Sequence, residues 1–422
     1  MSRFVIEGDA SLHGSIPVYG SKNAALPLLA ASLLTTEEVT LGNIPPILDV
    51  QRMIAIIKAM GATVEYSNAT LRIHGKELSP EHMPASLVGA LRGSILLLGA
   101  LLGRFRQATV PLPGGDIIGA RPIDAHLDGF RQLGAAISET DRGVSINGSS
   151  MTAGVVVLPE FSVTATENLL MVCATLPGTS TIHIAAAEPH VVALCSLLTA
   201  MGARIQGAGT HTITVEGSKT LHGATVQNIY DMIEAGTFML LAAATRSTMT
   251  IEHVPLGDLL LFFKKLDDIG ISYTTGDHAP DGSASVIISP STISSFSIQT
   301  LPHPGMATDL QAPFSVIATQ TVGSSLIHDP MYEGRFKYIH ELQKMGADAV
   351  MCDPHRVIIT GPTKLHGRHI PSLDIRSGVT LVMAALVAEG QTIIEEAEHI
   401  DRGYAHFMER LQAVGASIRR EK

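Results

Sequence analysis

RFVIEGDASLHG (residues 3–14), TITVEGSKTLHG (212–223) and VIITGPTKLHG (357–367) are three versions of one phrase: a short strand-like run, a glycine, and a turn closed by Leu-His-Gly. A second phrase recurs around them, in which an apolar-periodic stretch ends in an apolar residue and a glycine before a strand-like run begins. It reads KAMGATVEY (58–66), RQLGAAISE (131–139), TAMGARIQG (199–207), DDIGISYTT (267–275), QKMGADAVM (343–351) and QAVGASIRR (412–420). Glycine at the end of a periodic apolar segment is a helix stop, because it enters the left-handed region without a Cβ clash. The stops at Gly61, Gly134, Gly202, Gly270, Gly346 and Gly415 mark six α+β repeats. Each is about seventy residues long, too long for a solenoid repeat. TLRIHG (70–75), GVSING (143–148), TITVEG (212–217) and RVIITG (356–361) supply strands behind the stops.

Only ASIRREK follows Gly415, so the sixth repeat lacks a closing strand, and RFVIEGDASLHG is the piece that fits it. The sequence predicts an α/β fold with two similar three-repeat domains. One covers 22–229; the other comprises 1–21 and 230–422 and is completed by the N-terminal strand. Two connecting strands near 20–22 and 228–231 would leave a cleft, a favoured setting for small ligands. Aligning the Leu-His-Gly phrases puts Lys22, Asp231 and Asp374 at equivalent helix starts. A set of helix N-termini favours an anionic ligand, although Asp231 and Asp374 could equally be ordinary caps.

Composition narrows the partners. Of the 422 residues, 45% are hydrophobic and 16% charged, which fits a globular chain. A net charge of −10 argues against nucleic acid or an anionic membrane surface as partner. MSRFVIEGDA lacks the apolar core of a signal peptide, and runs such as ILLLGALL (95–102) are too short to span a bilayer. Cys173, Cys195 and Cys352 are too widely spaced for a disulfide framework or a metal motif. The expectation is a cytosolic protein with reduced thiols.

Several stretches combine charge with turn-forming residues where a repeat begins a helix. PLPGGDIIGARPID (111–124) sets Asp116, Arg121 and Asp124 among three prolines and three glycines, poor material for helix or strand. Its companions are SKNAALPLL (21–29), LRGSILLLGALLGRF (91–105), HPGMATDLQ (303–311), EGRF (333–336), LDIRSG (373–378) and HIDRGY (399–404). Singly, Lys22 and Asn23 read as a cap and an exposed first-turn lysine, and Arg92, Arg335, Arg376 and Arg402 as surface ion pairs. Their matched positions and flanking glycines favour a site.

Taken in order, these motifs resemble the enolpyruvyl transferases along essentially the whole chain, and within them the branch that acts on UDP-N-acetylglucosamine. The resemblance implies an inside-out α/β barrel of two three-repeat domains, each repeat βαβαββ-like. It implies transfer of the enolpyruvyl group of phosphoenolpyruvate to the 3′-hydroxyl of the sugar nucleotide, with phosphate released, as the first committed step of peptidoglycan precursor synthesis. No metal or organic cofactor is implied. Lys22, Asn23, Arg121, Arg376 and Arg402 would hold phosphoenolpyruvate, a trianion suited to forked and point cations. Arg92, the run Arg121, Pro122, Ile123, Asp124 and Ala125, then Ser162, Val163, Asp309 and the backbone at Met331 would hold the nucleotide. Asp309 would take the hydroxyl proton. The 111–124 segment would be a lid that brings Asp116 as the acid for C3 and excludes water.

The chain departs from the family pattern in places. Most members carry cysteine at Asp116, and the aspartate implies resistance to fosfomycin, which alkylates a thiolate. Ala187 and Met232 replace frequent arginines, and Glu160 stands where lysine is common. Two alternatives share the fold. One is 5-enolpyruvylshikimate-3-phosphate synthase, which lacks the GGDIIGARP loop. The other is a silent sugar-nucleotide-binding paralog, which would need no proton donor such as Asp116.

Overall fold

The computed structural model describes residues 2–79, 83–111, 114, 122–140 and 143–422. The described residues divide into two compact halves, those within 20–114 and 122–229 and those within 2–19 and 230–422.

One repeat shows the plan. Strand Val155–Val157, helix Val163–Cys173, strand Gly178–His183, helix Pro189–Ala200 and strands Arg204–Gln206 and Thr212–Gly217 follow in order. The four strands make one sheet, with Val155–Val157 parallel to Gly178–His183 and the other neighbours antiparallel. The described residues form six such sheets, three per half. Five have four strands; that of Gln107–Pro111, Gly143–Asn147 and Ala136–Thr140 has three.

Some strands come from far along the chain. Thr225–Gln227 pairs in parallel with Glu38–Gly42, and His13–Pro17 with Thr248–Pro255. Arg3–Glu7 lies between Gln391–Glu395 and Ile418–Glu421, antiparallel to both, with Val5 opposite Ile393 and Arg419. The sixth repeat thus takes its central strand from the beginning of the sequence.

Each half buries three helices along almost their whole length. They are Lys22–Ala31, Leu97–Phe105 and Val163–Cys173 in the first, and Met232–Ala244, Gln311–Gln320 and Ile375–Val387 in the second. Their sequences are mostly apolar or small around the axis, as a surrounded helix requires, with a few buried polar residues such as Glu167, Asn168 and Glu234 among them. The second helix of a repeat is two-faced: Tyr338–Met345 buries Ile339, Leu342 and Met345 and leaves His340, Gln343 and Lys344 exposed. Among the described residues, no helix is long and apolar enough to cross a membrane.

All six helix-stop glycines adopt positive φ, between 82° and 113°. Gly346 is representative. It caps Tyr338–Met345 at φ 110°, and a Cβ there would lie 3.0 Å from the Lys364 carbonyl oxygen. Gly346→Ala should therefore cost about 1–2 kcal/mol of stability, read as a lower denaturation midpoint than the parent protein.

Candidate functional site

In the first half, Ser21 and not Asn23 is the N-cap of Lys22–Ala31; its side chain accepts the Ala24 amide at 3.3 Å. Lys22 is not an exposed first-turn lysine. Its Nζ lies 2.7 Å from Asp49 Oδ2, and Asp49 is 1% exposed. Arg52 reaches the other Asp49 oxygen at 3.4 Å. Asn23 follows in the same turn, half-buried. Arg92 opens the turn Arg92–Leu96 that leads into Leu97–Phe105, and its Nη2 donates to the Pro122 carbonyl at 3.5 Å. Pro122 and Ile123 precede helix Asp124–Gln132, where Asp124 is exposed and Ala125 buried.

A buried network joins that helix to Val163–Cys173, for which Ser162 is the N-cap position. Asn168 Nδ2 donates to His126 Nδ1 at 2.9 Å and to the Ile95 carbonyl at 3.1 Å, while its Oδ1 accepts the Gly99 amide. His126 Nδ1 is therefore an acceptor, and Nε2–H faces Thr164 Oγ1 at 3.1 Å. Burial, with Arg92 nearby, pushes the imidazole pKa down to about 3. His126 and Asn168 belong to no motif read from the sequence. Both lie inside helices with other apolar residues, where only the fold reveals the contact.

In the second half, Asp309 sits in the turn Thr308–Leu310 ahead of Gln311–Gln320. Its Oδ1 is ion-paired with Arg335 Nη2, and its Oδ2 lies 3.3 Å from Arg376 Nε. Arg376 also donates to the Tyr404 hydroxyl at 3.0 Å, and that hydroxyl faces Thr237 Oγ1 at 3.1 Å. Burial opposes charge on both guanidiniums and is outweighed. Asp309 and Asp374 hold Arg335 above its ordinary pKa; Tyr404, Asp309 and Asp231 do so for Arg376. Neither arginine is a surface ion pair.

Asp231 and Asp374 prove to be helix caps. Asp231 accepts the Ile233 and Glu234 amides, and Asp374 those of Arg376 and Ser377. Their carboxylates occupy the helix-end donors that an anionic ligand would use. Arg402 closes the turn Glu398–Asp401 and is 8% exposed. Met331 is half-buried, with its amide bonded to Asp329 Oδ1 at 2.9 Å. Asp116 and Arg121 lie outside the described residues, as does most of 111–124.

Residues 6–411 match the family EPSP synthase (3-phosphoshikimate 1-carboxyvinyltransferase). The UDP-N-acetylglucosamine 1-carboxyvinyltransferase of Treponema pallidum is 40% identical over the whole of both chains. The protein of that name from Magnetococcus marinus is 40% identical over 100% of this chain and 99% of its own. The chain belongs to the UDP-N-acetylglucosamine 1-carboxyvinyltransferase family of enolpyruvyl transferases.

Among solved structures, the enolpyruvyl transferase NikO from Streptomyces tendae superposes with a TM-score of 0.89 at 25% identity, covering 100% of this chain and 99% of its own. EPSP synthase from Acinetobacter baumannii, at 21% identity, covers all of both chains with a TM-score of 0.77 and shares the fold. Within this enolpyruvyl transferase the departing residues fall in different settings: Glu160 is exposed, Met232 half-buried and Ala187 buried. No group of three or more His, Cys, Asp or Glu among the described residues is arranged to hold a metal ion. Burial pushes the Cys173 and Cys195 thiols up to about 11 and about 12, leaving both poor nucleophiles at neutral pH; Cys352 is exposed.

The His126 shift has a definite sign. Below the ordinary value of 6.5, the unfolded chain takes up a proton that folded His126 refuses until about pH 3, so stability is lost as the pH falls through that window. The loss from this group should reach about 2 kcal/mol at pH 5. Denaturant unfolding of His126→Gln beside the parent at pH 7.5 and pH 5 checks this: the gap between them should narrow in acid.

Proposed function

We propose that this enolpyruvyl transferase moves the enolpyruvyl group of phosphoenolpyruvate onto the 3′-hydroxyl of UDP-N-acetylglucosamine, in the cytoplasm, as the first committed step of peptidoglycan precursor synthesis. Residues 22–229 form one of its domains, and 1–21 with 230–422 the other. Lys22, Asn23, Arg121, Arg376 and Arg402 hold phosphoenolpyruvate. Arg92, residues 121–125, Ser162, Val163, Asp309 and the Met331 backbone hold the nucleotide.

The chemistry is addition followed by elimination. The 3′-oxygen bonds to C2 of phosphoenolpyruvate, its proton passes to the Asp309 carboxylate, and Asp116 as a carboxylic acid protonates C3. The tetrahedral adduct then loses a proton from C3; the double bond re-forms as the C2–O bond to phosphate breaks. Cations around the carboxylate and phosphate stabilise the charge that moves during both steps. Arg335 touches no reacting atom in this scheme; it fixes the Asp309 carboxylate.

One observation carries the reading: Asp309 held between Arg335 and Arg376, in a chain whose motifs run the full length of its 1-carboxyvinyltransferase relatives. Phosphate release tests it. With phosphoenolpyruvate present, UDP-N-acetylglucosamine should support turnover and shikimate 3-phosphate should not; the reverse result would assign the chain to the shikimate branch.

The acid assignment has its own test. A carboxylate is a poor nucleophile toward the fosfomycin epoxide, so the parent enzyme should keep its activity in the drug. Asp116→Cys should stay active and lose activity progressively when treated, and Asp116→Ala should lose nearly all turnover. Time-dependent inactivation of the unmodified enzyme would remove Asp116 from this role.

A further inference from the structure

Asp329 is fully buried, yet it belongs to no motif that the sequence reading singled out. Its Oδ2 accepts the Thr308 hydroxyl at 2.5 Å, and its Oδ1 accepts the Met331 amide at 2.9 Å. Its backbone is fixed from the other side: the Asp329 N–H donates to the His355 carbonyl at 2.8 Å, and its own carbonyl meets His355 Nδ1 at 2.8 Å. His355 is set in turn by its amide bond to Asp353 Oδ1. One carboxylate therefore ties together the turn that carries Asp309 and the backbone at Met331, and a hairpin turn anchors that carboxylate.

We propose that Asp329 is a positioning residue for the sugar nucleotide: it fixes the distance between Asp309 and the Met331 backbone, so that one ligand can engage both. The inference rests on the functional reading above, which places both groups on the nucleotide. Asp329 cannot touch the ligand itself, because no part of it reaches solvent. Both links are hydrogen bonds to a carboxylate, stronger than neutral ones. Losing both frees the Thr308–Leu310 turn and the Met331 backbone to move independently. Ordering them again is then charged mainly to nucleotide binding: Arg376, a proposed phosphoenolpyruvate holder that touches that turn, is held independently of Asp329 by its bond to the Tyr404 hydroxyl.

The conservative variant separates this role from simple packing. In Asp329→Asn the amide oxygen can still accept from Met331, and the amide N–H can donate to Thr308 Oγ, since a hydroxyl serves either way. In Asp329→Ala neither link survives. The expected result is a roughly ten- to hundredfold weaker calorimetric Kd for UDP-N-acetylglucosamine in Asp329→Ala. The KM for phosphoenolpyruvate should stay within about threefold, and Asp329→Asn should recover most of the lost affinity. Thr308→Val breaks one link and should fall between the two. It also serves if Asp329→Ala does not fold, and an unchanged nucleotide Kd in folded Asp329→Ala or in Thr308→Val would overturn the inference. A parent protein that binds no UDP-N-acetylglucosamine would instead overturn the functional reading. Amide hydrogen exchange at residue 331 tests the link without any ligand: it should quicken in Thr308→Val and in folded Asp329→Ala, and unchanged exchange in both would overturn the inference.

Discussion

A predominantly apolar helix buried along almost its whole length is stable in water only where other elements surround it, and each half of this chain holds three such helices. Their flanks are largely committed to packing, with interior polar groups such as Asn168 bonded within the fold, so the candidate charged groups stand at or near their ends. The candidate residues follow that rule. Lys22 opens one inner helix, Arg92 opens the turn that leads into the second, and Ser162 stands at the start of the third. In the other half, Asp231 and Asp374 cap inner helices and Asp309 sits in the turn before the remaining one. The arrangement that stabilises the fold also decides where reactive groups can stand.

Groups at buried helix ends lose water, and each needs a partner to offset that loss. Arg335 and Arg376 meet it with Asp309 and Tyr404, and Lys22 with Asp49. Arg410 and Glu234 show the same economy away from the motifs. Arg410 Nη2 lies 2.6 Å from Glu234 Oε1 and its Nη1 donates to the Pro17 carbonyl, while Glu234 Oε2 accepts the Tyr19 amide at 2.7 Å. That pair fixes residues 17–19 just before the boundary of its half. Removing one member of such a buried pair typically costs about 3–5 kcal/mol, mostly because the other charge is stranded. These pairs are better understood as setting position than as sources of net stability.

This division explains what could be read from the sequence. Helix stops depend on local backbone geometry, so the six glycines are legible one at a time, and so is the strand behind each. The family motifs are legible because helix ends carry short, contiguous patterns. Partners across the fold are not. Asp49 beside Lys22, Tyr404 beneath Arg376, and Asp329 between Thr308 and Met331 join residues from different elements, and no periodicity marks an aspartate or histidine as half of such a pair. The aspartates at 231 and 374 show the opposite case. The sequence allowed both a ligand-facing and a capping role, and hydrogen bonds to their own helices decide for capping. Asp116 and Arg121 carry the most specific chemistry in the motif set, yet only their sequence speaks for them.

The placing of Arg3–Glu7 between two strands from the far end of the sequence has a kinetic side. The extra closure entropy of so long a loop is modest, about 0.6 kcal/mol for each doubling of loop length. Stability therefore suffers little. Order of assembly is affected more, because non-local pairing slows folding. Every described strand of the first half comes from residues 38–227, so that half has its full set once Thr225–Gln227 has been made. The sheet around Arg3–Glu7 cannot begin to form until Gln391–Glu395 exists, nor be completed until Ile418–Glu421 does, although Phe4, Val5 and Ile6 are core residues made long before. During synthesis that strand has unpaired edges and apolar side chains in water, the condition that promotes wrong pairing. Its brevity, five residues that begin with Arg3 and end with Glu7, limits that exposure.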